Sequence, residues 1–190
     1  VSISNNDEKI NKDGGIRPNT SHEILDGLKL AFDENGTVTA GTASPLTDGA
    51  SAVIVCEEEY AKKNNLNILA RIKSTAVVGC PPELMGLGPI NASKKALKRA
   101  NLSISDIDIV ELNEAFASQS LACIKELNMD ISKVNIHGGA IALGHPLGAT
   151  GARITGKVAT LLQNNNKKYG LATQCIGLGQ GIATVLENIN

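Results

Sequence analysis

A layered α/β fold is what the 190-residue sequence predicts: a mixed five-stranded sheet with helices on both faces and a C-terminal antiparallel hairpin. Three observations carry this expectation. Short apolar runs suited to strands alternate with segments of helical periodicity. The last two strand candidates are separated only by a Gly-Leu-Gly-Gln-Gly turn, which leaves no room for a helix. The composition, with 19 glycines and 2% aromatics, suits a protein of tight turns between short elements.

The elements follow in order. Ser2–Thr20 is polar and rich in Asn, Asp and Gly, and reads as a loop or tail. Ala52-Val53-Ile54-Val55 suits a buried strand, and Glu57–Asn65 a polar helix after it. Leu69–Val78 is the next strand candidate, stopped by Gly79-Cys80-Pro81-Pro82. Pro89 fits the first turn of a helix whose Ile90, Leu97 and Ala100 share a face. Ile107–Leu112 is a strand, and Asn113 can cap a helix carrying Phe116, Leu121, Ile124 and Leu127 on one side. Val134–Ile136 is a short strand. Ile154, Val158, Leu161 and Leu162 mark a further helix, and Tyr169–Ile176 and Gly181–Leu186 form the closing hairpin. The repeated alternation predicts a mostly parallel sheet with functional loops at strand ends.

Composition excludes several classes. A formal net charge of −1, with both signs interspersed, offers no basic field for nucleic acid. No apolar stretch reaches the roughly 18–20 residues of a membrane span, and the polar opening has no signal-peptide core, so a cytoplasmic protein without a membrane partner is expected. Cysteines 56, 80, 123 and 175 show neither Cys-x-x-Cys pairing nor metal spacing, so no metal and no disulfide scaffold is expected.

Two residues stand out because each sits on a glycine-rich turn. His145 lies in the stretch Gly138–Arg153, followed by Pro146, which biases it to extended geometry. An imidazole before a helix N-terminus can serve as a base, donor or orienting group. Cys175 ends a strand and precedes Gly177-Leu178-Gly179-Gln180-Gly181, whose backbone N–H groups can receive developing negative charge. Asn113 reads first as an N-cap, a role compatible with catalysis. Cys56, Cys80 and Cys123 read as small hydrophobes, and His22 and His137 as surface or satisfied histidines. Cysteine, histidine and asparagine together also make up a cysteine-hydrolase inventory. Neither glycine stretch is a nucleotide loop: one leads into a strand, and the other lacks the P-loop lysine.

Together these residues resemble the C-terminal half of the thiolases, the acetyl-CoA acetyltransferases and 3-ketoacyl-CoA thiolases. The resemblance rests on Asn113-Glu114-Ala115-Phe116-Ala117, the Gly-His-Pro stretch through Arg153, and the Cys175-Ile176-Gly177 turn. Supporting it are Gly36–Gly41, Asp48-Gly49-Ala50 and Pro82–Pro89, in order from Arg17 onward. The resemblance implies a ping-pong acyl transfer through an acylated cysteine, with coenzyme A as substrate and no resident cofactor. His145 would activate that nucleophile and polarise the thioester oxygen, and Asn113 would hold a water completing the oxyanion site. Cys175 would be the general acid/base, and the Gly177 amide would serve a second oxyanion hole. Ser44 would contact the pantetheine amide, Phe32, Ala40, Met85 and Phe116 would wall its tunnel, and Arg17 would lie near the nucleotide.

The same resemblance divides the chain into residues 1–20, the tail of a loop domain or a linker; 21–50, a connecting segment at the CoA site; and 51–190, the C-terminal thiolase domain. Its partners would be acyl-CoA and CoA, an N-terminal thiolase half carrying the nucleophilic cysteine, and further copies in a dimer or tetramer of the complete enzyme. Pro45-Leu46 after Ser44, Gly41-Thr42, and Leu178 where many members have glycine depart from short-chain biosynthetic members and tilt toward a degradative 3-ketoacyl-CoA thiolase. A non-catalytic CoA-binding or assembly subunit derived from a thiolase half is the rival reading.

Overall fold

The computed structural model describes residues 3–5 and 8–189; residues 1, 2, 6, 7 and 190, which fall within the expected first and last segments, lie outside the described residues. Where the sequence suggests a featureless tail, β1 (Ile3–Asn5) and β2 (Glu8–Ile10) pair as a small antiparallel ribbon, Ile3 opposite Ile10. A short helix α1 (His22–Asp26) follows, with the Ser21 hydroxyl accepting the Ile24 N–H. The expected polar helix is α2 (Glu58–Lys63), laced by Lys62–Glu58 at 2.8 Å.

The main sheet is built from β3 (Arg71–Gly79), β4 (Ile109–Leu112), β5 (Tyr169–Ile176) and β6 (Gln180–Glu187), in the order β3-β6-β5-β4. It has four strands rather than five. β4 and β5 are parallel, whereas β6 runs against both of its neighbours, because the hairpin inserts it between β5 and β3. Val134–Ile136 contributes only one bridge, Val134 to Val110, since Asn135 adopts φ 48 and turns the chain out of the ladder. Ala52–Val55 is not a strand: Ile54 is 91% exposed and no ladder among the described residues reaches it. An apolar run needs a hydrogen-bonding neighbour to become a strand, and among the described residues these meet none.

Helices cover both faces. On one lie α3 (Gly88–Ala100) and α4 (Ala117–Glu126), packing Ala92, Ala96, Leu97 and Cys123 against Val110, Leu112, Leu171, Ala183 and Val185. On the other lies α6 (Thr150–Asn164), preceded by the single turn α5 (Ala140–Leu143); it packs Ile154, Val158, Leu161 and Leu162 against Ile109, Ala172 and Leu186. Pro89 occupies the first turn of α3, and Asn101 ends it in the left-handed conformation. Asn113 is not a helix cap: the chain bends at Ala115, Phe116 is extended and bridged to Ala43, and α4 starts only at Ala117. Its apolar side is also shifted, with Cys123 buried and Leu121 59% exposed.

Period-two alternation in β5 divides its side chains between the layers. Leu171, Thr173 and Cys175 face α3, where the Ser93 hydroxyl donates to Thr173 Oγ1 at 3.2 Å. Ala172 and Gln174 face α6. Among the described residues, no helix is long and apolar enough to cross a membrane.

Candidate active site

The parallel pair β4–β5 brings two chain ends side by side. The Asn113 N–H continues the ladder by donating to Thr173 O at 3.0 Å, and Cys175 stands two residues further along β5. In parallel sheets this carboxyl end is where ligands bind. Asn113 is 1% exposed and Cys175 7%.

His145 is delivered to the same place from the opposite layer. Gly144, at φ 98, turns the chain out of α5, and Thr47 Oγ1 accepts the His145 N–H at 3.3 Å. Its imidazole is held at both nitrogens: Nε2 lies 3.3 Å from Asn113 Nδ2 and Nδ1 lies 2.7 Å from Thr150 Oγ1. Burial lowers the imidazole below its ordinary value, and the nearby Arg153 charge acts in the same direction. That direction favours the neutral ring, which is the form a base requires.

Cys175, one residue before the end of β5, pairs with Gly181, and its thiol is pushed up by burial; a backbone hydrogen bond opposes that shift and Cys80 adds to it. A protonated thiol can donate before it accepts, as an acid/base group must. The turn after it places Leu178 at φ 67 and Gly179 at φ 88, so the position where Leu178 departs from glycine is one where the backbone is left-handed. Gly177 is exposed, with open space where a Cβ would be.

No hydrogen bond joins His145 to Cys175 among the described residues, so the pair is not arranged as in a cysteine hydrolase. Cys123, expected to be inert, is buried; burial raises its thiol to about 11, and it donates to Gly86 O at 3.5 Å. Cys56 is exposed rather than packed, and Cys80 is half-buried. No group of His, Cys, Asp and Glu among the described residues is arranged to hold a metal.

The residues expected at the CoA site gather partly. Ser44 is fixed beside the Asn113 loop, donating from its backbone N and its hydroxyl to Ala115 O at 3.0 and 3.3 Å. Phe32 meets Phe116 edge to face at 6.1 Å. Met85 lies half-buried in the 3₁₀ segment Pro82–Leu87, and Ala40 is exposed. Arg17 is exposed, and its guanidinium donates to Gly15 O at 3.3 Å.

Three groups that sequence reading did not single out support the site. Thr150 is fully buried on the first turn of α6, five residues after His145. Glu114 ties the Asn113 strand end to the loop before His145, accepting from Asn135 Nδ2 at 2.8 Å and from the Ile141 N–H at 3.1 Å. Lys157 reaches both the buried Glu111 carboxylate at 3.1 Å and Gly138 O at 3.0 Å. Burial pushes the Glu111 carboxyl up while Lys157 opposes it. The signal for Thr150 was its spacing: a hydroxyl on a helix's first turn can reach a side chain on the preceding turn.

Comparisons with known proteins point to one family. The family model for the thiolase C-terminal domain matches residues 66–188, and that for the thiolase N-terminal domain matches residues 1–59. A 3-ketoacyl-CoA thiolase of Shewanella frigidimarina is 57% identical over 185 residues, covering 95% of this chain and 48% of the relative. The crystal structure of human mitochondrial 3-ketoacyl-CoA thiolase superposes with TM-score 0.94 at 47% identity, over 100% of this chain and 48% of that one. The same human enzyme in complex with CoA gives TM-score 0.91 at 48% identity, over 98% of this chain and 47% of that one. The chain spans about half the length of the relatives it matches. With Asn113, His145 and Cys175 brought to one end of a sheet, and a family model matching most of its length, the chain belongs to the thiolase family.

Proposed function

We propose that the chain supplies half of a thiolase active site, one that interconverts 3-oxoacyl-CoA plus CoA with acyl-CoA plus acetyl-CoA through an acyl-cysteine intermediate. The observation that carries this reading is the contact between Asn113 Nδ2 and His145 Nε2 at the carboxyl end of β4, with Cys175 on the adjoining strand. His145 Nε2 takes the thiol proton of a nucleophilic cysteine held outside these 190 residues. The resulting imidazolium and an Asn113-bound water then face the thioester oxygen. Cys175 moves a proton at the substrate α-carbon or the incoming thiol, with the Gly177 amide facing the second carbonyl. Two thioester oxygens gain charge in different steps, so each needs its own preorganised donors.

CoA enters along Ser44, Phe32, Ala40, Met85 and Phe116, with Arg17 toward the nucleotide. The relative solved with CoA supports this class of ligand, and the names of the relatives support a 3-ketoacyl-CoA substrate. Mixing the chain with a separately expressed N-terminal thiolase half and following 3-ketoacyl-CoA cleavage tests the proposal. Turnover should need both parts, and the Cys175→Ala variant should still acylate the partner's cysteine while failing to turn over. CoA binding without turnover in every combination would favour the non-catalytic subunit instead. Turnover by the chain alone, with the acyl group on Cys175, would overturn the division of roles.

A further inference from the structure

Thr150 is fully buried, and its side chain meets two polar partners. Its Oγ1 lies 3.1 Å from Pro146 O, the back-bond from a helix's first turn to the carbonyl four residues earlier, and 2.7 Å from His145 Nδ1. A hydroxyl has a single proton to give. With that proton on Pro146 O, the contact to Nδ1 closes only if the ring nitrogen donates. The imidazole proton is then on Nδ1, and Nε2 carries a bare lone pair. Asn113 Nδ2, 3.3 Å from Nε2, presents an N–H to that lone pair. The arrangement is a chain of donors running one way: Asn113 to His145, His145 to Thr150, Thr150 to Pro146.

We propose that Thr150 is a positioning residue that fixes His145 in the Nδ1-protonated tautomer, so that Nε2 carries the lone pair that acts as the base once the Asn113 N–H releases it. The inference rests on the thiolase reading for its catalytic meaning. In that reading the thiol proton moves to Nε2, the S–H bond breaks and the N–H bond forms. Nδ1–H keeps its bond to Thr150 in both protonation states, so the ring need not turn between acting as base and acting as donor. The opposite tautomer would present an N–H to the incoming thiol and could not accept its proton.

Long-range ¹H–¹⁵N correlation on the histidine-labelled chain, above the pH at which His145 is neutral, reads the tautomer directly. The parent chain should show a protonated-type Nδ1 and an unprotonated-type Nε2 for His145. Thr150→Val, which keeps the shape and removes the hydroxyl, should shift His145 toward the Nε2-protonated form or a mixture, and Thr150→Ser should restore the parent pattern. In an assembled thiolase containing this chain, Thr150→Val should lower kcat roughly 10- to 100-fold with KM little changed, and Thr150→Ser should recover most of it. An Nε2-protonated ring in the parent spectrum overturns the proposal whether or not the valine variant folds. An unchanged tautomer in a folded Thr150→Val variant overturns it equally. A parent spectrum as expected, in a chain that supports no thiolysis with any partner, would leave the tautomer assignment standing and remove the catalytic reading instead.

Discussion

Gly139→Ala tests how tightly the loop before His145 is bound to the strand carrying Asn113. Gly139 has φ −116 and ψ −165, a conformation open to any residue, so alanine strains no backbone there. A Cβ at this position would run into the Glu114 carboxyl group, the group that accepts from Asn135 Nδ2 and the Ile141 N–H. To make room the carboxylate must leave one or both donors. Hydrogen bonds to a charged group are worth about 1.5–3 kcal/mol each. Glu114 is half-buried and can regain water, which reduces the expected loss to about 1–3 kcal/mol in all. Urea denaturation followed by circular dichroism measures this, in a double-mutant cycle with Glu114→Ala. Once the carboxylate is gone the added methyl has nothing to displace, so Gly139→Ala should cost little in that background, giving a coupling of about 1 kcal/mol or more. An equal cost of Gly139→Ala with and without Glu114 would refute the clamp.

Other outcomes follow from the same geometry. Cys175→Ala should cut turnover of an assembled enzyme by about 10²–10⁴, whereas Cys123→Ala should cost little activity because that thiol faces Gly86 O inside the core; equal, mild losses in steady-state assays would remove Cys175 from the chemistry. His145 has its folded-state pKa lowered, so its contribution to stability is present above the unfolded value and lost as pH falls below about 6.5 toward the folded value. Subtracting the denaturation profile of His145→Gln from that of the parent should isolate this decline, and a flat difference would contradict it. His145→Ala should slow alkylation of the nucleophilic cysteine in an assembled enzyme, while His137→Ala should not; iodoacetamide labelling at parental rate in both would dismiss the activating role. Leu162→Ala, at a side chain with no exposure between α6 and the sheet, should cost about 2–5 kcal/mol by denaturation, and less than 1 kcal/mol would mean that the layer is looser than described.

What the sequence revealed depended on whether an element's partners lie nearby in the chain. α6 could be read because Ile154, Val158, Leu161 and Leu162 repeat at helical spacing, and the final hairpin because its turn is only a few residues long. His145 and Cys175 could be found because their glycine frames are local. Ala52–Val55 misled because an apolar run specifies a buried strand only where another strand accepts it, and none of the described residues does. Asn113 misled as a cap because the bridge from Ala43 holds Phe116 extended and delays the helix to Ala117, a pairing across more than 70 positions that no local pattern displays. Glu114 was hidden for a related reason. Its role exists only once the end of β4 has met the loops at Asn135 and Ile141.

The turn after Cys175 is joined to α3 without any side chain between them. A Cβ on Gly181 would collide with the Gly88 backbone, a Cβ on Gly179 would collide with Cys80 O, and the Cys80 N–H donates to Gly179 O at 2.8 Å. Backbone against backbone leaves no rotamer to absorb a displacement, so this joint transmits movement as a rigid coupling rather than a cushioned one. Met85 sits in the segment between Cys80 and Gly88, within the same coupled body. On the proposed reading, in which Met85 walls the pantetheine tunnel, enlarging residue 85 would therefore also adjust the aim of the Cys175 thiol. Libraries at that position should be screened for turnover and for chain-length preference together, because the two properties share one lever.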